Sequence, residues 1–596
     1  MTKETSVGAF DSRLERGTET PLDSTEQRRE RRLKKLFWVA AIALSLLFAW
    51  ADRHGMRNDG ISYLDMGDAY LRGDWEMAIN GYWSPLYPIL LGLAMRALRP
   101  SPYWEFAVAH LVNLFVYLWA LSSFSFFLGE LIRYHRHRER LAGDGWMSLP
   151  GWAWLVLGYT LFIWTSQMFI TVYHVSPDLC MAACVFLASG ITLRIRRGET
   201  SWRVFILLGT VLGLGYLAKA PMFPLSFVFL LVSLLAVDNL RRAVPRVGVA
   251  LLVFFLIAGP YVVALSRSKG RLTFGDSGKI NYAVLVGRLP RRHWQGAPEG
   301  SGTPRHPTRQ LSTDPPMYEF GSPIGGTYPN WYDPSYWFDG VRIRFQLGRH
   351  LRNMLSTSRL FVDLLFALHS SLVISLAVLV YTSGRGLRAV RDAAAGWLLL
   401  VPALAALLMY MQVYVEPRYV GVFVVLLFTG LFSSVRLRGR REDNRLVGCL
   451  MVIIATMLTL SLSRPVARAA AALVRNPKAG WETVGGKAWR VADGLKRMGV
   501  LPGQKAASLT YSNLGHTQWA RLARVQIIAE IFSEAPEDDE KAFWASGKET
   551  RKRVLDTFSK AGADIVVGSQ VPKSAADEGW QRIGDTDYHV YFVRRS

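Results

Sequence analysis

Eleven apolar runs, each close to the length a helix needs to cross a bilayer, constrain this chain more than any other feature. They lie near residues 36–51, 103–128, 152–173, 176–193, 203–218, 221–237, 246–265, 359–381, 396–413, 417–435 and 446–463. A spanning helix takes roughly 17–25 residues, and hydrocarbon offers no water to satisfy an open backbone, so such runs must become helices. The sequence therefore predicts an α-helical polytopic membrane protein with about 11 transmembrane helices over residues 36–463. Residues 1–35 are polar, end in Arg28, Arg29, Arg31, Arg32, Lys34 and Lys35, and read as a disordered basic cytoplasmic tail. No small-residue cleavage site closes the first run, which therefore reads as a spanning helix and not as a removed signal peptide.

Lys and Arg outnumber Asp and Glu by 70 to 46, a balance that nucleic-acid binders share, so the placement of the charge decides its meaning. Basic residues collect in cytoplasmic loops. With the N-terminus inside, the inside loops hold Arg133, Arg136, Arg138 and Arg140, then Arg194, Arg196, Arg197 and Arg203. Arg241, Arg242 and Arg246 follow, then Arg385, Arg388 and Arg391, and last Arg436, Arg438, Arg440, Arg441 and Arg445. The short turns on the other face, near 174–177, 219–220 and 414–418, hold only Lys219 and Arg418. The positive charge is thus mostly topological, and no nucleic-acid partner is expected. Residues 52–102, 266–358 and 464–596 then lie on the extracytoplasmic side of an inner, plasma membrane. Cys180 and Cys184 share a helix face without a nearby His and read as buried small hydrophobes.

The tail 464–596 changes character. Val484–Met498, Gln518–Arg524 and Lys548–Ala561 read as helices, while Ala506–Thr510, Val525–Glu530, Asp564–Gly568 and Tyr588–Arg594 read as strands. This alternation predicts a C-terminal soluble α/β domain. No GxGxxG or P-loop follows any of these strands, so nothing there points to a nucleotide.

Ionisable residues gather at the turns of one face. Asp59 stands directly beyond the first apolar run, in Arg57-Asn58-Asp59-Gly60-Ile61-Ser62-Tyr63, and the short apolar stretch 89–98 suits an interfacial helix. Asp59, Asp65 and Asp68 also read as solvated loop acids or helix caps. His174-Val175-Ser176-Pro177-Asp178 brings a second acid, which doubles as a helix start. Lys219 could pair with a lipid phosphate or snorkel to the interface; Glu416 and Arg418, in Glu416-Pro417-Arg418-Tyr419, could form a structural ion pair. The loop 266–358 clusters aromatics, notably Trp331-Tyr332-Asp333-Pro334, which suit sugar rings or equally an interfacial aromatic belt. His174, His293, His306 and His350 lack metal-ligand spacing; no metal or other cofactor is predicted, with a divalent metal left as the alternative.

In this order the motifs resemble the GT-C superfamily of membrane glycosyltransferases, and within it the branch of protein O-mannosyltransferases and the lipid A aminoarabinose transferase. Asp59…Tyr63 and Pro85-Leu86-Tyr87-Pro88 match the acid after the first helix and the later Pro-Leu-Tyr-Pro element. Ser176-Pro177-Asp178, the Gly-rich stretch ending in Lys219, and Pro417-Arg418-Tyr419 resemble the later motifs. The resemblance covers residues 36–435, and the acid that usually follows the first Asp is Gly60 here. It implies transfer, with inversion, of a sugar from a polyprenyl-phosphate carrier to a lipid, glycan or protein acceptor. Asp59 would be the general base, and Tyr63, Tyr87, Asp178, Lys219, Trp331, Tyr332, Glu416 and Arg418 would bind donor or acceptor. The rival readings are a lipid-linked glycan transporter or flippase, and a non-catalytic assembly protein; transport would favour ionisable groups at mid-membrane in repeated halves.

Overall fold

A computed structural model describes residues 24–142, 145–321, 323, 325–364, 370–383, 396–476, 484–533, 535 and 538–593. Five helices are long and apolar enough to cross a membrane, namely Thr25–Ala51, Pro102–Leu141, Asp178–Arg196, Leu240–Lys269 and Arg441–Arg475. Shorter apolar helices stand among them: Trp202–Ala218, Met222–Leu235, Ser370–Thr382, Trp397–Met411 and Pro417–Phe432, with Gly151–Met168 beside them. At 1.5 Å per residue the 14-residue Met222–Leu235 helix is only about 21 Å long, less than a hydrocarbon core. Its ends therefore leave turn residues such as Lys219 near the membrane boundary. The stretch 89–98 is helical as Leu86–Leu98. It packs on the Asn58–Arg72 helix, where a Cβ at Gly67 would sit 2.7 Å from the Pro88 carbonyl oxygen.

The Asp178–Arg196 helix is the axis of the bundle, with 89% of its apolar window buried, whereas Leu240–Lys269 buries 17% and turns most of its surface outward. The sequence explains this. Cys180, Ala182, Ala183, Cys184, Ala188, Ser189 and Gly190 are small and buried, so neighbouring backbones approach closely. Both thiols are free. The arginine-rich turns meet at the far end, where fully buried Glu130 pairs with Arg133 at 2.6 Å, Arg194 at 2.8 Å and Arg197 at 3.4 Å.

The basic segment expected as disordered needs correction from Ser24 onward. The charged tail from Ser24 continues the first apolar helix as Ser24–Ala51, and Glu30 pairs with Arg136 at 2.6 Å, which pins the arginine-rich turn to the bundle. Residues 1–23 and the Arg385, Arg388 and Arg391 cluster lie outside the described residues.

The tail forms an α/β sheet. Its strands are β1 (Arg309–Thr313), β2 (Pro316–Glu319), β3 (Lys505–Ser508), β4 (Gln526–Ile531), β5 (Ile565–Gly568), β6 (Gln581–Arg582) and β7 (His589–Phe592), in the order β1-β2-β4-β3-β5-β7-β6. The central β4-β3-β5 set is parallel, with the Thr517–Ala523 helix between β3 and β4, and Lys548–Lys560 between β4 and β5. The hairpin β1–β2 belongs to the 266–358 loop, and β2 joins antiparallel to β4, Met317 opposite Ile531. The terminal domain is therefore completed by a loop of the helical domain.

Ion pairs weld the two parts. Arg521 is 6% exposed and reaches Asp65 at 2.7 Å, Asp68 at 2.6 Å and Glu105 at 2.7 Å, while Arg524 pairs with Glu105 at 2.6 Å. Burial pushes the Asp65 carboxyl up, and Arg521 works against that shift. Burial also disfavours the Arg521 charge, but Glu105, Asp65 and Asp68 outweigh it and raise the guanidinium well above its ordinary range. Removing one member of such a cluster strands the others as buried charges, at about 3–5 kcal/mol. Arg521→Met is thus expected to lower the melting temperature in detergent, which a thermal ramp read by intrinsic fluorescence would detect.

Candidate active site

Asp59 sits in the first turn of the Asn58–Arg72 helix, at the end of the bundle remote from Glu130. Asp178 starts the axial helix, Lys219 follows Trp202–Ala218, and Arg418 stands in the first turn of Pro417–Phe432. Four separate chain reversals thus deliver ionisable groups to one cavity of about 710 Å³. Asp59, Tyr63, Asp178, Lys219, Trp331, Glu416 and Arg418 all line it, along with Tyr82, Trp83, Lys279, Arg291, Arg292 and Tyr419.

Every carboxylate in the cavity has a cation. Asp59 Oδ2 accepts from Arg418 Nη2 at 3.0 Å, and Asp59 Oδ1 accepts from Trp331 Nε1 at 3.0 Å. Lys219 Nζ donates to Asp178 Oδ1, whose other oxygen accepts from Ser176 Oγ at 2.9 Å. Arg418 is fully engaged: its Nε donates to Glu416 at 2.5 Å and its Nη1 to His174 Nε2 at 3.0 Å. Lys219 also lies 3.7 Å above the Tyr419 ring, a favourable seat for an ammonium. With one of its three donors on Asp178, Lys219 keeps two for a ligand.

Aromatic rings form the opposite wall. Trp83 and Trp331 meet edge-on at 5.5 Å, Tyr63 and Trp83 at 5.1 Å, and the Arg292 guanidinium lies 4.0 Å over Trp331. The Trp331 carbonyl accepts from Ser62 Oγ at 3.0 Å and Trp83 Nε1 at 3.3 Å, so a loop residue is fastened to the helix that carries Asp59. Two residues expected at the site stand outside the cavity. Tyr87 is fully buried and donates to Asn113 at 3.3 Å, and Tyr332 donates to the Met77 carbonyl at 2.7 Å. Both brace the wall from behind.

His174 and Arg292 were not among the expected site residues. His174 offered only a histidine beside the Ser-Pro-Asp turn. Arg292 carried no local signal either, since the loop 266–358 holds many other cations, among them Lys269, Arg271, Lys279 and Arg288. Gly60, where relatives of this motif carry an acid, faces Met56 and Val175. A side chain there would displace Met56.

Burial, followed by the Arg418 and Arg57 charges, pushes the His174 imidazole down to about 3, so it is a neutral acceptor for Arg418. Its ordinary value is 6.5. The unfolded chain therefore binds the extra proton between about pH 6.5 and 3, and folding free energy must fall as pH drops through that window. At pH 5 the loss is about 2 kcal/mol. His174→Gln, which keeps an acceptor but cannot titrate, is expected to flatten the melting temperature between pH 5 and 7, read by differential scanning fluorimetry.

No family model matches the chain, and no curated protein matches it. Among solved structures, ArnT from Cupriavidus metallidurans bound to undecaprenyl phosphate is similar over 94% of this chain and 98% of its own, at 12% identity and a TM-score of 0.49. An oligosaccharyltransferase from Archaeoglobus fulgidus, in complex with Zn and sulfate, is similar over 89% of this chain and 67% of its own, at 13% identity and a TM-score of 0.44.

Proposed function

We propose that the chain is an inverting glycosyltransferase that moves a sugar from a polyprenyl-phosphate carrier to a hydroxyl of a lipid, glycan or protein acceptor. The observation that carries the reading is a single cavity in which a carboxylate, Asp59, and a separate cation with spare donors, Lys219, stand on different elements. Displacement at an anomeric carbon needs a base on the nucleophile and positive charge on the departing oxygen. Asp59 takes the acceptor proton as the oxygen attacks the anomeric carbon. The bond to the carrier phosphate breaks, and its electron pair stays on the phosphate oxygen beside Lys219. Arg418 orients Asp59 and adds charge, with Glu416 and His174 fixing its fork. Trp83, Trp331 and Tyr63 offer faces to sugar C–H groups, and Phe274, Leu285, Met409 and Val413 give the same cavity an apolar wall suited to a prenyl chain. Because the arginine-rich loops lie at the other end, the site end is assigned to the extracytoplasmic face of the plasma membrane.

The decisive comparison is Asp59→Asn against wild type in detergent, with a panel of undecaprenyl-phosphate sugars and envelope extract as acceptor. Turnover is expected to fall by about 10²–10⁴ with donor binding retained; equal turnover would remove Asp59 as the base. Lys219→Ala should weaken undecaprenyl phosphate binding itself, measured by scintillation proximity with the radiolabelled lipid. Since Asp59 and Asp178 already hold side-chain cations, no cofactor is assigned, and turnover should persist in EDTA. A loss in EDTA that magnesium or manganese restores would hand the leaving-group role to a metal.

A further inference from the structure

The N-terminal turn that carries Asp59 is not fixed by its own helix. Its cap residue Arg57 makes no side-chain capping bond, so the first backbone N–H groups depend on other parts of the fold. Besides the bonds from Arg418 and Trp331 to Asp59, this turn is held by the terminal domain. Asn58 Nδ2 donates to the Asn513 carbonyl at 2.9 Å, while Asn58 Oδ1 accepts from Thr517 Oγ1 at 2.7 Å and Gln518 Nε2 at 2.9 Å. Gln518 Nε2 also reaches the Met56 carbonyl at 3.2 Å. The residue preceding Asp59 is therefore clamped from both sides of its amide by a segment that follows β3.

The same segment reaches the Asp59 side chain by a second route. Tyr511 Oη accepts from Arg292 Nε at 2.8 Å and from Asn513 Nδ2 at 2.6 Å. Arg292 lies flat on Trp331 at 4.0 Å, and Trp331 Nε1 donates to Asp59. The base of the segment is itself fastened: fully buried Glu530, on β4, accepts from the Ser512 backbone at 2.8 Å, Tyr328 Oη at 2.7 Å and His293 Nε2 at 3.0 Å. All of this lies at the carboxyl ends of β3 and β4, the edge on which parallel sheets present their functional loops.

We infer that the terminal domain is a working part of the active site, with Tyr511 and Asn513 as positioning residues. They hold the Asp59 backbone through Asn58 and its carboxylate through Arg292 and Trp331. The inference rests on the reading of Asp59 as the base. Neither residue touches the reacting atoms, so what each supplies is alignment, and misalignment of about 1 Å can cost 10²-fold.

The test is a double-mutant cycle on the full chain in detergent, with undecaprenyl-phosphate sugars as donors and envelope extract as acceptor. Tyr511→Phe keeps the ring and removes only the oxygen that receives Arg292. It is expected to lower kcat about 10- to 100-fold while leaving the donor KM and undecaprenyl phosphate binding unchanged. Trp331→Phe, which also trims a ring that faces the sugar, should lower kcat at least as much, and the double variant should be no slower than Trp331→Phe alone. A merely structural Tyr511 would give independent losses that multiply, which would overturn the inference, as would wild-type turnover by Tyr511→Phe. Should Tyr511→Phe fail to fold by melting analysis, Arg292→Lys serves in its place, since it keeps the charge but lacks the planar fork that bridges Tyr511 and Trp331. Asp59→Asn in the same series separates the two ideas. Turnover retained there defeats the base reading, while turnover lost there but unchanged in Tyr511→Phe defeats only the positioning role.

Discussion

A carboxylate held at the end of an apolar helix bundle stays charged only beside a cation, and this constraint organises the molecule. Desolvation costs several kcal/mol per ion and is offset only by close partners with good geometry. Accordingly Asp59 has Arg418, Asp178 has Lys219, and Asp65, Asp68 and Glu105 share Arg521 and Arg524. Arg418 shows why the cation at the centre is an arginine. Its three nitrogens are committed in fixed directions to Glu416, His174 and Asp59, which a single ammonium could not do.

Because each pair joins residues far apart in the chain, pairing also determines architecture. The Asn58–Arg72 helix has Asp59 in one cluster and Asp65 and Asp68 in the other. Different faces of one short helix thus contribute to a candidate reactive centre and to the weld between domains. Movement of the terminal domain on its sheet would be felt at Asp59 through Asn58, through Trp331 and through Arg521. Such triple attachment suits a rigid, pre-aligned site, and it explains why the 266–358 loop is captured as strands β1 and β2: Trp331 sits a short distance further along that loop.

The parts legible in the sequence are those whose physics is local. Apolar runs became helices close to the expected bounds, as 103–128 within Pro102–Ala142 and 417–435 as Pro417–Phe432. Val484–Arg497, β3, β4, β5 and β7 followed the alternation of the tail. Asp59, Asp178, Lys219 and Arg418 stood out because an ionisable residue at the edge of an apolar run is costly without a purpose. What could not be read is long-range pairing. Tyr87 and Tyr332 occur in a motif and an aromatic cluster, yet the direction each side chain takes depends on Asn113 and Met77. The charged tail from Ser24 continues the first apolar helix, and Glu30 meets Arg136 across the bundle, a pairing the sequence does not show. Tyr511 has no local mark at all, since its importance comes from Arg292, more than two hundred residues earlier.

Gly60 shows how such a site absorbs a departure from a familiar motif. Where the resembling family places a second acid next to the first, this chain has Gly60, and a side chain there would push Met56 aside. Two adjacent acids on one turn would also compete for the same cation, and Arg418 is already fully engaged. A further carboxylate arrives from another helix, as Asp178, and brings its own cation in Lys219. Asp59 and Lys219 then stand on separate elements, Asp59 held by Trp331 and Arg418, Lys219 by Asp178 and the Tyr419 ring.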